Sequence, residues 1–249
     1  MAYENFADVA DDYWRTFGPE FHVLIQGRLE AWLRRYGIRP HRVLDLGCGT
    51  GSLAVEWARQ DYQMTGVDVS AAALRIARKK ARSARVRVRF IRTDLRKFAL
   101  PSRFDLAVSI FNTVNHVLSV DGLQSMFRCV AKALNPSGWF VFDVNNASCF
   151  RRVWGGISVV DHPRFVLVRQ DQLDFKNKKA SAHLMIYKRR HGGFIRGEDL
   201  IRETWFDHRL IRRIAVRAGF QVVHKEDFNP FDGGKRDSKI KSLWLLRKV

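Results

Sequence analysis

The sequence predicts an α/β fold: a mostly parallel sheet flanked by helices, with an antiparallel β insertion late in the chain. Three observations predict it. Short apolar strands alternate with helical stretches between residues 42 and 144, the pattern of parallel strands joined by crossover helices. Three glycines, Gly47, Gly49 and Gly51, stand where the first strand runs into the first crossover helix. Beyond Asn146 the alternation gives way to strand-length runs separated by turn residues, which reads as an antiparallel unit.

Composition is compatible with this. The chain has 249 residues, 46% of them hydrophobic, enough for one large α/β domain or a core with a modest insertion. No stretch approaches the roughly 20 apolar residues of a membrane span. Residues 1–6 lack the basic segment and apolar run of a signal peptide. Cys48, Cys129 and Cys149 are too few for a disulfide framework and lack zinc spacing, so no metal and a cytoplasmic setting are expected. The net charge of +19 favours phosphates, nucleic acid or anionic surfaces, although an arginine-rich proteome would produce the same excess.

In order, residues 3–36 read as helical with a break at Gly18-Pro19. Leu24, Ile25, Leu29, Trp32 and Leu33 recur at helical spacing, and Gly37 provides the stop. Residues 42–46 form a strand, 52–60 a helix, 63–69 a strand and 70–83 a helix. Ser70 is placed to cap that second helix with its hydroxyl. Strands follow at 86–91 and 104–111, a helix at 121–134 and a strand at 139–144. The later strands are expected at 157–160, 164–174, 180–190 and 203–207, with turns at Asp161-His162-Pro163, Asn177-Lys178-Lys179 and His191-Gly192-Gly193. A helix at 209–218 and strands at 220–225 and 241–247 close the chain around a loop at Asp232-Gly233-Gly234-Lys235. The implied units are an N-terminal helical cap (1–36), a core (37–146), the antiparallel insertion (147–207) and the completion of the core (208–249).

The strand Val43-Leu44-Asp45-Leu46 leads straight into Gly47-Cys48-Gly49-Thr50-Gly51. Closely spaced glycines turn the backbone sharply and let a ligand approach it. In open α/β sheets ligands sit at such carboxyl ends of strands. A dinucleotide fingerprint would be Gly-x-Gly-x-x-Gly, but here the spacing is Gly-x-Gly-x-Gly and Ser52 stands at the third glycine's place. Asp45, before the first glycine, suits an ammonium-bearing ligand better than a pyrophosphate. These features point to S-adenosylmethionine (SAM). Asp68, 17 residues past Gly51, can accept both ribose hydroxyls of an adenosine or cap the next helix. Asp94 can accept from an adenine amino group while Leu95 packs on the ring.

On these residues the chain resembles the class I SAM-dependent methyltransferases. The motifs are Val43 to Gly51, Gly66-Val67-Asp68-Val69-Ser70, Thr93-Asp94-Leu95, Phe104-Asp105-Leu106-Ala107 and Leu134-Asn135-Pro136-Ser137-Gly138-Trp139. The resemblance covers residues 40–145 and, more loosely, 205–249. It implies a Rossmann-like seven-stranded sheet of order 3-2-1-4-5-7-6 with a reversed last strand, and S-adenosylhomocysteine as product. Its implied cofactor contacts are Asp45, Gly47, Cys48, Gly49 and Gly51, then Asp68, Val69, Asp94 and Leu95, with the backbone near Ile110 holding the methionine ammonium. The subgroup is similar to small-molecule methyltransferases with an insertion after the fifth strand, such as the amino-sugar N-methyltransferases and the glycine N-methyltransferase group. There a Tyr-x-x-Phe-Ala stretch caps the SAM site, matched by Tyr3, Phe6 and Ala7, although Ala10-Asp11 stands where a Tyr-Asp pair is often found.

The cofactor of such enzymes already carries an activated methyl group, so the protein mainly aligns the nucleophile and sometimes removes its proton. The acceptor site is expected among residues 111–116 and 143–146. His116 is a candidate general base or a helix-face histidine. Asn112 and Asn145 are candidates to orient a polar acceptor or to satisfy turn backbone. Trp154, Trp205 and Tyr187 are candidates to wall the pocket or to pack a core. The Asn/Asp-Pro-Pro-aromatic motif of amino-methylating nucleic-acid enzymes is replaced after the fourth strand by Ser109-Ile110-Phe111-Asn112, and Asn229-Pro230-Phe231 reads as a chance partial match. No cysteine suits a 5-methylcytosine mechanism. Arg85, Arg87 and Arg89 alternate with apolar residues, as an RNA stripe or a charge-guarded sheet edge would. Lys188-Arg189-Arg190-His191 with Arg196 would suit an anionic acceptor. The expected function is methyl transfer from SAM to N or O of a small molecule. An RNA methyltransferase and a non-catalytic SAM-binding protein are the alternatives.

Overall fold

The structure is a computed structural model that describes residues 3–17, 19–230 and 239–249. Gly18, Phe231 and the turn expected at 232–235 lie outside the described residues.

Two helices, α1 (Ala7–Phe17) and α2 (Pro19–Arg35), precede the core. The core runs β1 (Arg42–Leu46), α3 (Ser52–Ala58), β2 (Gln63–Asp68), α4 (Ala71–Ser83), β3 (Val88–Arg92), β4 (Phe104–Ser109), α5 (Val120–Ala133) and β5 (Leu134–Asn145). The insertion contains α6 (Ala147–Val153), β6 (Gly156–His162), β7 (Phe165–Asp174), β8 (Lys179–Arg190) and β9 (Gly193–Thr204). The chain then returns through α7 (His208–Arg217), β10 (Phe220–Phe228) and β11 (Lys241–Lys248).

The main sheet has the order β3-β2-β1-β4-β5-β11-β10, with β11 antiparallel to both neighbours. This is the expected 3-2-1-4-5-7-6 order. Side chains alternate across the sheet, so each strand feeds two cores. Phe140 and Phe142 of β5 pack with Phe127, Phe220 and Trp244 on one face. Val141, between them, packs with Trp32, Trp57, Leu74 and Leu245 on the other. Helix α4 shows the same logic. The Ser70 hydroxyl caps it by accepting from the Ala73 N–H at 3.1 Å, and Leu74, Ala77 and Ala81 bury one face at helical spacing. No helix forms in the connection from β3 to β4.

The insertion is a four-stranded antiparallel sheet of order β6-β7-β8-β9. Its inner face carries Phe165, Leu167, Leu184 and Ile186, packed with Phe150, Trp154 and Trp205. Two details differ from expectation. Helix α6 was not foreseen. Its seven residues are too few to display a helical period, and it is set by Asn146, whose side-chain oxygen accepts from the Ser148 and Cys149 N–H groups. The fourth insertion strand was expected at 203–207 but spans Gly193–Thr204, while Asp207 begins α7. Residues 193–196 are exposed and lack apolar alternation. They are held as strand by pairing with β8 across a turn at Gly192, whose φ is 82°.

Candidate active site

The parallel strands all end on one side of the sheet, and the glycine loop lies there. Gly47, Gly49 and Gly51 have φ of 73°, 52° and 76°, conformations that L side chains rarely adopt. A Cβ on Gly47 would meet the Thr113 side chain at 2.4 Å, and one on Gly51 would meet Ala77 at 2.8 Å. The Gly47 and Cys48 N–H groups donate to the Val67 carbonyl, tying the loop to the end of β2. Cys48 sits against Gly66, and burial pushes its thiol up.

Two carboxylates flank this loop. Asp68 accepts from the Gly49 N–H at 2.9 Å and from the Ser70 N–H at 2.8 Å. Asp45 is 3% exposed, and its Oδ2 has no hydrogen-bond partner. Burial, reinforced by the Asp68 charge, pushes the Asp45 carboxyl up to about 7. A buried carboxylate oxygen without a donor is costly, so Asp45 is poised for a cation or donor from outside the chain.

The other expected cofactor positions sit at neighbouring strand ends. Val69 follows β2 and is 45% exposed. The Asp94 carboxylate is paired with the Arg96 guanidinium, with contacts down to 2.6 Å, which holds it below the usual carboxylate range. Leu95 packs against the core cluster around Phe127. Ile110 is buried, and its carbonyl accepts from the Thr113 hydroxyl at 2.9 Å.

Beyond β4, Phe111 and Asn112 have consecutive positive φ of 62° and 52°. Such strain in non-glycine residues persists only where surroundings impose it, and it clusters at functional sites. Here Asp143 accepts from the Asn112 N–H at 3.0 Å, and the Asn112 side-chain amide donates to Glu203 at 2.9 Å. Lys241, on β11, donates to Asp143 at 2.8 Å within the protein. Asn145 donates to the other Glu203 oxygen at 3.3 Å, and its own Oδ1 is buried without a partner. His116 Nε2 lies 3.7 Å from Glu203, and the Tyr3 hydroxyl lies 2.5 Å from His116 Nδ1. Asn115 bridges the carbonyls of Asn145 and Thr204, clamping β5 to β9. Asn112, His116 and Asn145 thus converge on one carboxylate.

Glu203 was not singled out in the sequence. It lies on the inward face of β9 with Asp199 and is 6% exposed. Burial pushes its carboxyl up, against the opposing pull of His116 and Lys241. The legible signal was the two-residue alternation of Asp199, Ile201 and Glu203 on a strand that the sequence placed too late. Asp199 accepts from the backbone N–H groups of Asn5 and Phe6, drawing the N-terminal segment over the site. Asp11, at the place where the Tyr-Asp pair was expected, accepts from the Thr50 hydroxyl of the glycine loop at 2.6 Å.

Trp154 and Trp205 pack on Phe150 in the core of the insertion. Tyr187 lies on its outer face, beside the Arg196 guanidinium, rather than walling the site. Three of the five residues in the basic group expected to hold an anion are already matched by acids. Lys188 pairs with Asp8, Arg189 with Asp161 and Arg196 with Glu198. No group of histidine, cysteine or carboxylate residues suited to a metal occurs among the described residues. No helix of those residues is long and apolar enough to cross a membrane.

The sheet order, the reversed strand and the glycine loop at the first strand end define a class I SAM-dependent methyltransferase fold. Residues 43–138 match the methyltransferase domain family. The ubiquinone biosynthesis O-methyltransferase of Serratia proteamaculans (strain 568) is 35% identical over 147 residues, covering 57% of this chain and 59% of that protein. That of Albidiferax ferrireducens is 33% identical over 150 residues, covering 58% of each. The chain therefore spans less than two thirds of the length of these curated relatives. Among solved structures, a SAM-dependent methyltransferase from Clostridium acetobutylicum ATCC 824 superposes with a TM-score of 0.83 at 20% identity, covering 99% of this chain and 98% of that one. Residues 43–138 thus form a methyltransferase domain by sequence, and the chain as a whole has the fold of the SAM-dependent methyltransferases.

Proposed function

We propose that this chain transfers a methyl group from SAM to a nitrogen or oxygen nucleophile of a small molecule, an amine being the favoured acceptor. The observation that carries the reading is Glu203, a buried carboxylate gripped by Asn112 and Asn145 beside His116 and Tyr3. Glu203, Asp68 and Asp199 all act electrostatically on Tyr3, so the acceptor side adjoins the glycine loop. The enclosure of Glu203 supports a small acceptor over an RNA strand. The density of carboxylates supports one that arrives as an ammonium. An amino pentose methyltransferase from Micromonospora echinaspora, solved with SAM bound, has the same fold, with a TM-score of 0.73 at 19% identity over 97% of both chains.

The residues present fit the cofactor. The unpartnered Asp45 oxygen matches the methionine ammonium, which Ile110 meets from the backbone. The turns at Gly47, Gly49 and Gly51 give it room beside Cys48. Asp68 holds the ribose hydroxyls, with Val69 beside the base, while Asp94 and Leu95 border the adenine. When bound, the sulfonium supplies a methyl group activated for in-line displacement. Asn112 and Asn145 fix the Glu203 carboxylate. Glu203 holds the acceptor N–H or O–H, aims its lone pair at the loop and takes its proton, with His116 alongside to pass that proton on. The N-terminal segment closes the site from water.

Two expectations concern the cofactor. Asp68→Ala should raise the SAM dissociation constant by about 10- to 100-fold, the range of a lost hydrogen bond to a charged group. Isothermal titration checks this, and circular dichroism should show a retained fold. An unchanged affinity removes the ribose role. Affinity should also rise with pH. Below about 7 the Asp45 carboxyl is protonated and neutral, so it pairs with a cation only after losing that proton. One such proton gives roughly tenfold tighter binding at pH 8 than at pH 6, with a plateau above. Asp45→Asn should flatten the dependence.

The reading as a whole is tested by incubating the protein with methyl-labelled SAM and, in parallel, a panel of small amines, a panel of hydroxy compounds and total RNA. Transfer to an amine supports it in full, and transfer only to a hydroxyl corrects the favoured acceptor. Label entering RNA instead would overturn it.

A further inference from the structure

We propose that the end of the sheet opposite the glycine loop forms an arginine-walled groove that binds single-stranded nucleic acid through its phosphates. The groove encloses about 670 Å³ and is walled by Arg42, Arg78, Arg82, Arg87 and Arg89, with no acidic residue in its lining. Arg42, Gln63 and Val88 open β1, β2 and β3, so the groove lies at the amino ends of the strands. SAM chemistry belongs at their carboxyl ends. The connection from β3 to β4 brings no helix to this corner of the sheet.

The five arginines are set apart by gathering around one concavity with no acid among them. Other basic clusters have acids beside them: Lys80 lies against Asp11, Lys188 against Asp8, Arg189 against Asp161 and Arg96 against Asp94. None of the five groove arginines has an ion-pair partner among the described residues. Arg78 donates to the Phe90 carbonyl and Arg42 lies over the Phe104 ring. Residues 75–97 hold eleven Lys and Arg against the single acid Asp94. Like charges gathered in a concave, low-dielectric wall repel one another and focus a positive potential. A bound polyanion relieves both effects.

Protection of the β3 edge accounts for only part of this. Such protection needs outward charges on the edge strand itself, which Arg89 provides. It does not require Arg87, just before β3, Arg42, two strands further in, or Arg78 and Arg82 on α4. Those last two are one helical turn apart, and Arg87 and Arg89 are two residues apart at the start of β3. Both spacings are about 6–7 Å, comparable to the interval between phosphates on an extended strand. A concave wall suits a threaded chain rather than a flat membrane. Phe90 and Phe104 are buried, so no ring is offered for base stacking and binding should be independent of sequence.

The test uses the full chain and a fluorescein-labelled, mixed-sequence RNA dodecanucleotide, read by fluorescence anisotropy. Binding should weaken between roughly 50 and 200 mM salt with a log–log slope of about −3.5 if five phosphates are engaged. Arg87→Glu/Arg89→Glu should lower affinity at least tenfold and flatten that slope. Arg212→Glu/Arg213→Glu, an equal charge change on exposed positions of α7, should change affinity less than about threefold. SAM affinity should be unaltered in both, which separates loss of the groove from loss of the fold. Four results would overturn the proposal: no RNA binding at the lower salt, no effect of the groove variant, equal losses in both variants, or binding to anionic phosphatidylserine vesicles without binding to RNA.

Discussion

Lys241→Met is expected to destabilise the protein by about 3–5 kcal/mol, the range for removing one partner of a buried ion pair. Lys241 and Asp143 are 4% and 0% exposed, and their contact joins β11 to β5 across neighbouring strands. Without the ammonium, Asp143 would keep only the Asn112 N–H among the described residues. It would then be a buried, under-compensated charge at the centre of the sheet. Urea denaturation with and without the substitution measures the loss. The decisive comparison is Asp143→Leu/Lys241→Met, which removes both charges. Because the cost lies in the orphaned carboxylate, the double variant should recover most of the stability. It should nevertheless lose methyl transfer, since Asp143 also pins the strained Asn112 backbone. A single variant as stable as the parent would show that the pair is hydrated rather than buried.

Glu203→Gln should lower the methyl-transfer rate by about 10²- to 10³-fold, the usual worth of a positioned proton acceptor, while leaving SAM affinity within about twofold. The amide preserves shape, its oxygen can still accept from Asn112, and its NH2 can donate to the unpartnered Asn145 Oδ1 once that amide turns over, so the fold should hold. The informative readout is the pH profile. Burial raises the Glu203 carboxyl above the ordinary range, so in the parent the rate should rise with pH as that group ionises. In the variant this limb should vanish. A profile unchanged in shape, with only a raised KM, would make Glu203 a substrate anchor and leave proton removal to His116 or solvent.

The core was legible because its information is local. Val43 to Gly51 announces a strand, a backbone that must turn through positive φ, and a helix start within nine residues. The strand and helix periods of residues 42–144 come from alternation that each segment carries within itself. Ser70 could be named as a cap because its hydroxyl needs a donor only three residues away. Where local pattern failed, so did the expectation. Gly193 to Arg196 is exposed, with its two apolar residues adjacent rather than alternating, and became strand through pairing with β8. The seven residues of α6 gave no period to read.

The acceptor side was only half legible. Asn112, His116 and Asn145 were named from their place after strand ends, but what unites them is Glu203, 91 residues from Asn112. The N-terminal cap is held by the same kind of contact. Tyr3 meets His116 across 113 residues, and Asn5 meets Asp199 across 194. The sequence by itself determined the class of fold, the order of the core elements and the loop suited to a cofactor, since each follows from short-range periodicity and backbone conformation. Tertiary structure alone decided which carboxylates are buried, which are paired, and which stand beside one another. Burial and electrostatic pairing depend on distances in space that separation along the chain does not encode.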